Sequence, residues 1–196
     1  RNVCLDYLAR RGESGLALAR QQLEAADNLT DRLAALRAVA LYADEASRAA
    51  ALSAFHRRWS EETLIVNQWF QVQAMVSDGD AVARVRQLME HPDFDLQNPN
   101  KVRALVGAFA SANPVSFHRS DGAGYELLAD VVAEINSFNP QLAARLLAPL
   151  TKWRAFPLRS RLMCQQLTRL AALPALSRDV YEVVSKSLEG APAQIR

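Results

Sequence analysis

The sequence is poor in the residues that build metal and redox sites, and each scarcity excludes a kind of function. Of its 196 residues, two are cysteine and three are histidine. The H-E-x-x-H motif is absent, so this chain cannot form the zinc site of a metallopeptidase that uses it. Cys4 and Cys164 belong to no C-x-x-C pair. They are predicted to be reduced, buried thiols of a cytosolic protein, with a disulfide as the less favoured alternative.

Long apolar runs, blocks of like charge and low-complexity tracts are also absent. No stretch approaches the roughly 18 consecutive apolar residues of a membrane-spanning helix, and no secretory signal is recognisable. We therefore expect a cytoplasmic protein without a membrane span. The net charge is +2, and the arginines are scattered among acidic residues. A nucleic-acid-binding face would need a basic stripe, so nucleic acid is not an expected partner.

Three Asn-Pro pairs are the most informative local signal in the sequence. They are Asn98-Pro99, Asn113-Pro114 and Asn139-Pro140. A residue before proline avoids the helical conformation, whereas proline suits the first helical position. Each pair therefore predicts a helix start, with asparagine as the side-chain cap. The first and third starts are separated by 41 residues, a spacing that falls in the HEAT/armadillo range of about 40–47 residues.

Apolar residues at helical spacing recur along the rest of the chain. Helix starts are predicted at Thr30, Asp44, Asp80 and Ser177, and a longer helix is predicted over 61–76. Pro149 is expected to kink or shorten the helix that begins at Pro140. Gly190 should end the last helix, followed by a tail without regular structure.

About ten or eleven helices and no strand are expected from these patterns. Because nearly all connections are short, neighbouring helices should be antiparallel. The predicted fold is all-α, a single domain over residues 1–196 built as a superhelical stack of antiparallel helix pairs of the HEAT/armadillo kind. A compact helical bundle is the alternative architecture.

Several possible chemical sites are better explained as structure. Asp121-Gly122-Ala123-Gly124 resembles a phosphate-binding loop only weakly, since it lacks the following Lys-Ser/Thr, and it is interpreted as a turn and helix start. His91 precedes a proline and is expected to have a structural role, whereas His118, near Asp121, is expected to order its loop. Neither a catalytic residue nor a metal ligand is predicted.

Arg103 and Arg145 are the candidate binding residues, each lying near the start of a helix that an Asn-Pro pair opens. One interpretation is that each forms an ion pair with a nearby carboxylate on a solvated face, a contact worth about 0.2–1 kcal/mol. The other is that each faces a cavity, where the guanidinium fork suits carboxylates and carbonyl groups of a bound peptide. The residues alone favour the first interpretation.

Several short motifs agree in order and spacing with a known family. They are RNVCLDYL at 1–8, NLTDRLAAL at 28–36, NQWFQVQA at 67–74, HPDF at 91–94, NPNKVR at 98–103, ANPVSFH at 112–118, DGAGYELL at 121–128 and NPQLAARL at 139–146. Together they resemble the C-terminal helical domain of bacterial aminopeptidase N, a zinc metallopeptidase of the gluzincin type. The resemblance covers nearly the whole chain. A chain that starts at Arg1 within a helical pattern is accordingly expected to be part of a longer polypeptide.

The resemblance implies a function that the isolated residues do not. The parent enzyme would remove N-terminal residues from peptides, with its zinc on a domain outside this chain. This domain would cap the active-site cavity and limit entry by size, and Arg103, Arg145 and Gln141 would contact the downstream part of the peptide. Its implied partners are the catalytic and N-terminal domains of the same polypeptide and the peptide substrates. Arg119 departs from the small or acidic residue that the family has after Phe-His.

The alternative function is a free-standing helical-repeat scaffold that binds a protein partner in its groove. Such a scaffold needs polar outer faces on its terminal helices. The first helix instead carries Val3, Leu5, Tyr7 and Leu8 on more than one face. This pattern favours the aminopeptidase interpretation, and an RNA-binding repeat protein ranks last.

Overall fold

The computed structural model describes residues 1–191, which form two compact units, one over Arg1–Ser77 and one beginning at Asp78. All regular structure in the described residues is helical, so the predicted all-α class is confirmed. The described part of the chain contains no helix with the length and apolarity that crossing a bilayer requires. The tail expected after Gly190 lies outside the described residues, apart from Ala191.

The first unit contains five helices. They are α1 (Asn2–Ala9), α2 (Glu13–Ala25), α3 (Leu29–Tyr42), α4 (Glu45–Trp59) and α5 (Thr63–Ala74). Helix α3 packs against α1, α2, α4 and α5. Small residues allow these close approaches. At Gly15 an added Cβ would lie 1.9 Å from the carbonyl oxygen of Leu8, so only glycine lets α2 pass this close to the end of α1.

Two predicted helix starts in the first unit can be compared with the structure. Asp44 caps α4 as predicted, since its side chain accepts a hydrogen bond from the amide of Ser47. The prediction of Thr30 as a cap was wrong, because Asn28 caps α3 and accepts from the amide of Asp31 at 2.9 Å. The helix predicted over 61–76 is shorter, Thr63–Ala74, and Glu62 precedes it without a side-chain cap.

The second unit contains nine α-helical segments within the described residues. They are α6 (Ala81–Met89), α7 (Pro99–Val102), α8 (Ala108–Ala112), α9 (Pro114–Phe117), α10 (Ala123–Ile135), α11 (Pro140–Leu146), α12 (Ala148–Thr151), α13 (Ser160–Ala171) and α14 (Arg178–Leu188). A π-helical segment, Arg103–Gly107, joins α7 to α8, and a 3₁₀ turn, Trp153–Ala155, follows α12. The segments outnumber the ten or eleven helices expected because prolines and the π segment divide longer ones.

All three Asn-Pro helix starts are confirmed. Asn98 accepts from the amides of Asn100 and Lys101, Asn113 from Ser116, and Asn139 from Leu142. In each case proline occupies the first turn. Pro149 also acts as predicted, since α11 ends at Leu146 and a new short helix begins at Ala148. By contrast, Asp80 precedes α6 without capping it through its side chain.

Helix α10 is the centre of the second unit. It packs against α6, α9, α11 and α13, and its residues Tyr125, Leu128, Val132 and Ile135 are completely buried. Their spacing puts them on one side of the helix, while other buried side chains widen that face. A helix surrounded in this way fixes the positions of α11 and of the loop that carries His118.

Both cysteines are free thiols, but only one matches the prediction. Cys164 is buried in α13, and burial raises the pKa of its thiol. Cys4 is exposed, which corrects the expectation that both are buried. The reason is geometric: α1 buries only Leu5 and Ala9, one turn apart, and Cys4 lies outside that narrow stripe.

Candidate functional site

Arg103 lies at the first residue of the π segment, immediately after α7. Its side chain is exposed, and one guanidinium nitrogen donates to the Asn100 side-chain oxygen at 2.7 Å. Asn100 thus positions the guanidinium group of Arg103, a contact that the sequence analysis did not single out. π-helical turns inside α-helices are rare overall, and those that occur often lie at functional sites. The backbone at Arg103 is therefore itself unusual.

The π segment approaches α11 at Gly107. A Cβ added at Gly107 would lie 3.8 Å from the Cβ of Arg103 and 3.8 Å from Cδ2 of Leu146. Leu146 is buried and follows Arg145 directly in α11. Gly107 thus lies where the Arg103 helix meets the helix that carries the second candidate arginine.

Gln141 and Arg145 are brought together on α11, one helical turn apart and both exposed. They line an open depression of about 410 Å³ between α11 and α14. The side of the depression formed by α14 carries Asp179, Glu182 and Lys186. The structure therefore groups two of the three predicted residues directly, with Arg103 on the helix that packs near α11.

Two charged side chains of α14, Glu182 and Lys186, pair with each other and not with Arg145. Glu182 pairs with Lys186 at 2.7 Å, and this contact lowers the pKa of Glu182 and raises that of Lys186. Among residues 1–191, no carboxylate lies within ion-pairing distance of Arg103 or Arg145. The ion pairs considered for the two arginines are therefore not formed within the described residues. Two exposed guanidinium groups and an amide suit binding to carbonyl or carboxylate oxygens.

A second cluster, around His118, was only partly anticipated. His118 Nδ1 lies 2.8 Å from the hydroxyl oxygen of Tyr125, and its ring stacks on Phe156 with centroids 4.1 Å apart. Arg159 Nε donates to the His118 carbonyl oxygen at 3.0 Å. Burial and, secondarily, the charge of Arg159 lower the pKa of His118, and burial raises the pKa of Tyr125 to about 12. The sequence predicted that His118 orders its loop, but Phe156 and Arg159 lie too far along the chain to be found by local spacing.

The Asp121–Gly124 stretch is a turn and helix start, as predicted. Gly122 has a φ of 75° and precedes α10, and the Asp121 side chain accepts from the amide of Ala123 at 3.1 Å. Arg119 is held by the same turn, through an ion pair with Asp121 at 2.7 Å and a hydrogen bond to the carbonyl oxygen of Gly79. Arg119 thus has a structural role in this turn.

His91 has the structural role expected for it. Its Nδ1 accepts from the amide of Asp93 at 3.1 Å and so closes the turn at Pro92.

Comparison with known proteins adds independent findings. A profile of the family described as "Domain of unknown function (DUF3458_C) ARM repeats" matches residues 1–189. Aminopeptidase N of Haemophilus influenzae is 40% identical over 190 residues, which cover 96% of this chain and 22% of that protein. Aminopeptidase N of Escherichia coli K12 is 40% identical over 191 residues, with the same coverage. The chain therefore spans 22% of the length of these relatives.

A solved structure agrees with these sequence matches. The crystal structure of Legionella pneumophila aminopeptidase A in complex with aspartic acid is similar with a TM-score of 0.88 and 35% sequence identity. The similarity covers 96% of this chain and 22% of that one. Fold and sequence thus lead to the same group of proteins.

Proposed function

We propose, from the premise that the chain belongs to the ARM-repeat family DUF3458_C, that it is the C-terminal domain of a zinc-dependent aminopeptidase N. In this proposal the domain caps the active-site cavity of an enzyme that removes N-terminal residues from peptides. The proposal rests on two exposed arginines, Arg103 and Arg145, for which the described residues provide no carboxylate partner. Aminopeptidase N relatives that match nearly all of this chain support the proposal.

Arg103, Gln141 and Arg145 would contact the part of the peptide downstream of the cleaved bond. Guanidinium groups donate in a planar fork to carbonyl and carboxylate oxygens, and an amide such as that of Gln141 both donates and accepts. In this proposal a single aminoacyl reporter lacks the downstream residues that these side chains would contact. Their loss should therefore weaken binding of longer peptides more than that of short reporters.

The rest of the parent polypeptide is the proposed structural partner. The first unit exposes apolar side chains at its surface, with Val3 at 69% and Tyr7 at 65% relative exposure. The two residues are one turn apart on α1, and Leu18 of α2 is also exposed. We propose that this face packs against another domain of the parent enzyme, which would remove the apolar area from water.

Catalysis itself is assigned to the parent and not to this chain. The chain lacks the H-E-x-x-H motif, so zinc and the groups that activate water would belong to another domain. What this chain would supply is a wall that excludes bulk water and admits short or unfolded peptides. Water exclusion strengthens polar contacts inside the cavity. The proposed location is the cytoplasm, where the free thiols Cys4 and Cys164 stay reduced.

A chimeric enzyme tests the proposal. The 190-residue matching region of Haemophilus influenzae aminopeptidase N is replaced by this chain, and hydrolysis of an alanyl reporter is compared with that of peptides of three to twelve residues. The chimera is expected to be active and to discriminate by length. Arg103→Ala with Arg145→Ala should raise KM for the longer peptides about a hundredfold, since two charged hydrogen bonds worth about 1.5 kcal/mol each are lost, and should leave the reporter nearly unchanged.

A matched control uses Arg161→Ala. Arg161 is another exposed arginine, on α13 and outside the proposed site. If the double variant and Arg161→Ala affect all peptides equally, the assigned binding residues are wrong. An inactive enzyme in which the chain nevertheless folds would count against its role as a cap.

A further inference from the structure

The first unit contains a groove that the proposed function does not use. It runs over α3 between α2 and α4 and has a volume of about 560 Å³, within the range of small-molecule sites. We call it the arginine groove. Its floor includes Leu23, Val39 and Phe55. All of its lining residues belong to the first unit, so the groove is defined without reference to the second.

The groove exists because α4 presents small side chains to it. Ala50, Ala51 and Ala54 line it, together with Phe55. Residues at this spacing share one face of a helix. Larger side chains at these positions would pack against α2 and fill the space. With alanine at these positions the space stays open, and Ala50 and Ala54 are exposed in the groove.

Three arginines line this apolar groove. Arg20 is paired with Glu13, whereas Arg32 donates to the carbonyl oxygen of Ala26. The guanidinium carbon of Arg58 lies 5.4 Å from the ring centroid of Trp59. Within residues 1–191, neither Arg32 nor Arg58 has a carboxylate at ion-pairing distance.

The two arginines without a carboxylate lie at the same end of the groove. Helices α3 and α4 pack together and are joined by two residues, so they run antiparallel. Arg32 is in the first turn of α3 and Arg58 in the last turn of α4, which places them at one end. Glu24, near the end of α2, also lines the groove and is its carboxylate. Helices α2 and α3 pack together and are joined by three residues, so Glu24 lies at the same end as Arg32 and Arg58, where the two guanidinium groups outnumber its single carboxylate.

We propose that the arginine groove binds an aliphatic carboxylate, with the hydrocarbon chain against the apolar floor and the alanines of α4 and with the carboxylate at Arg32 and Arg58. A groove with an apolar floor and an excess of cations at one end complements a ligand with one apolar and one anionic end. The volume accommodates a single medium-length chain. None of its lining residues is a proposed peptide contact, so this inference does not rest on the proposed function.

Calorimetric titration of the 196-residue chain with decanoate tests this site, below the concentration at which decanoate aggregates. Butyrate tests whether binding needs a long hydrocarbon chain on the ligand, and decyltrimethylammonium tests whether it needs a negative charge on the ligand. Decanoate should bind at least tenfold more tightly than either, because it has six more methylene groups to bury than butyrate and because the cation is repelled. Amide chemical shifts should change in α2, α3 and α4.

Two pairs of variants locate the ligand. Ala54→Phe fills the groove and should weaken decanoate binding about tenfold, whereas Ala49→Phe, on an exposed part of α4 outside the groove, should not. Arg58→Gln should weaken it about fivefold, whereas Arg57→Gln, the exposed neighbour outside the groove, should not.

Three results would overturn the proposal. They are equal binding of decanoate and the cationic amphiphile, equal effects of the paired variants, and displacement of decanoate by an acidic amphipathic helical peptide at lower concentration. The last would assign the groove to a protein segment.

Discussion

Arg159 donates from Nε to the main-chain carbonyl oxygen of His118, 3.0 Å away and 41 positions earlier in the chain. The same histidine contacts the buried hydroxyl of Tyr125 through Nδ1 and stacks on Phe156. The start of α13 is thereby tied to the loop before α10. Because this loop is held by an imidazole in a half-buried position, its stability depends on pH.

His118 should make the stability of the folded chain fall between pH 7 and pH 5. Its pKa in the folded state is lowered from the ordinary value of 6.5, mainly by burial. The unfolded chain then takes up the proton first, so His118 contributes fully above about pH 6.5, and its contribution is lost as pH falls through the folded pKa. Urea unfolding of the wild type and of His118→Gln at pH 7, 6 and 5 measures this.

The variant should show a smaller change in unfolding free energy over this range, even if it is less stable at every pH. Asp31, Asp44 and Asp121 have pKa values lowered from 3.8, so their contributions are lost only at more acidic pH. An identical slope for the wild type and the variant would show that His118 is not the titrating group.

Gly124→Ala should destabilise the chain strongly. An added Cβ would lie 2.5 Å from the carbonyl oxygen of Phe117 and 2.9 Å from its Cα, and both are backbone atoms that cannot move independently. Overpacking of this kind costs about 1–3 kcal/mol or more. Gly79→Ala is the matched control, because nothing lies within 4 Å of its added Cβ and its φ is not positive. A similar urea midpoint for the two variants would contradict the close approach of α10 and α9.

Asn136→Ala should cost about 1–3 kcal/mol. The buried side chain donates from Nδ2 to the carbonyl oxygen of Ala175 and accepts at Oδ1 from the amide of Ser177, both at 3.0 Å. It therefore holds the loop before α14 to the end of α10. Ser137→Ala, at the exposed next position, should change the unfolding free energy by less than about 0.5 kcal/mol. Thermal and urea unfolding of both variants distinguish the loss of the two Asn136 hydrogen bonds from an effect that any substitution at the end of α10 would have.

Arg103→Gln and Arg145→Gln should each leave the unfolding free energy within about 0.5 kcal/mol of the wild type. Both side chains are exposed, and neither forms an ion pair with the described residues. Arg159→Gln should instead lose about 1 kcal/mol or more, since its contact with the His118 carbonyl oxygen is charge-assisted. A large loss of stability in the first two variants would mean that these arginines stabilise the fold. The peptide test would then use Arg103→Lys and Arg145→Lys.

Local chemistry accounts for what the sequence predicted well. A cap such as Asn98 or Asn139 bonds to an amide two or three residues later, so the signal and its partner lie in the same short stretch. Thr30 failed for the same local reason, because Asn28, a better cap, stands two positions earlier. The predicted burial of Cys4 was wrong because apolar periodicity indicates only that a residue lies on a helix. Whether the residue is buried depends on how much of that helix its neighbours cover.

The sequence by itself determined the all-α class, the helix starts at the Asn-Pro pairs and, through its motifs, the family. Tertiary structure alone decided that α11 and α14 enclose a depression at Gln141 and Arg145, that Asn136 and Arg159 bridge distant segments, and that alanines of α4 leave a groove. The physical reason is range. Capping and periodicity act within one or two turns, whereas burial, cavities and side-chain bridges depend on which helices pack together after the chain has folded.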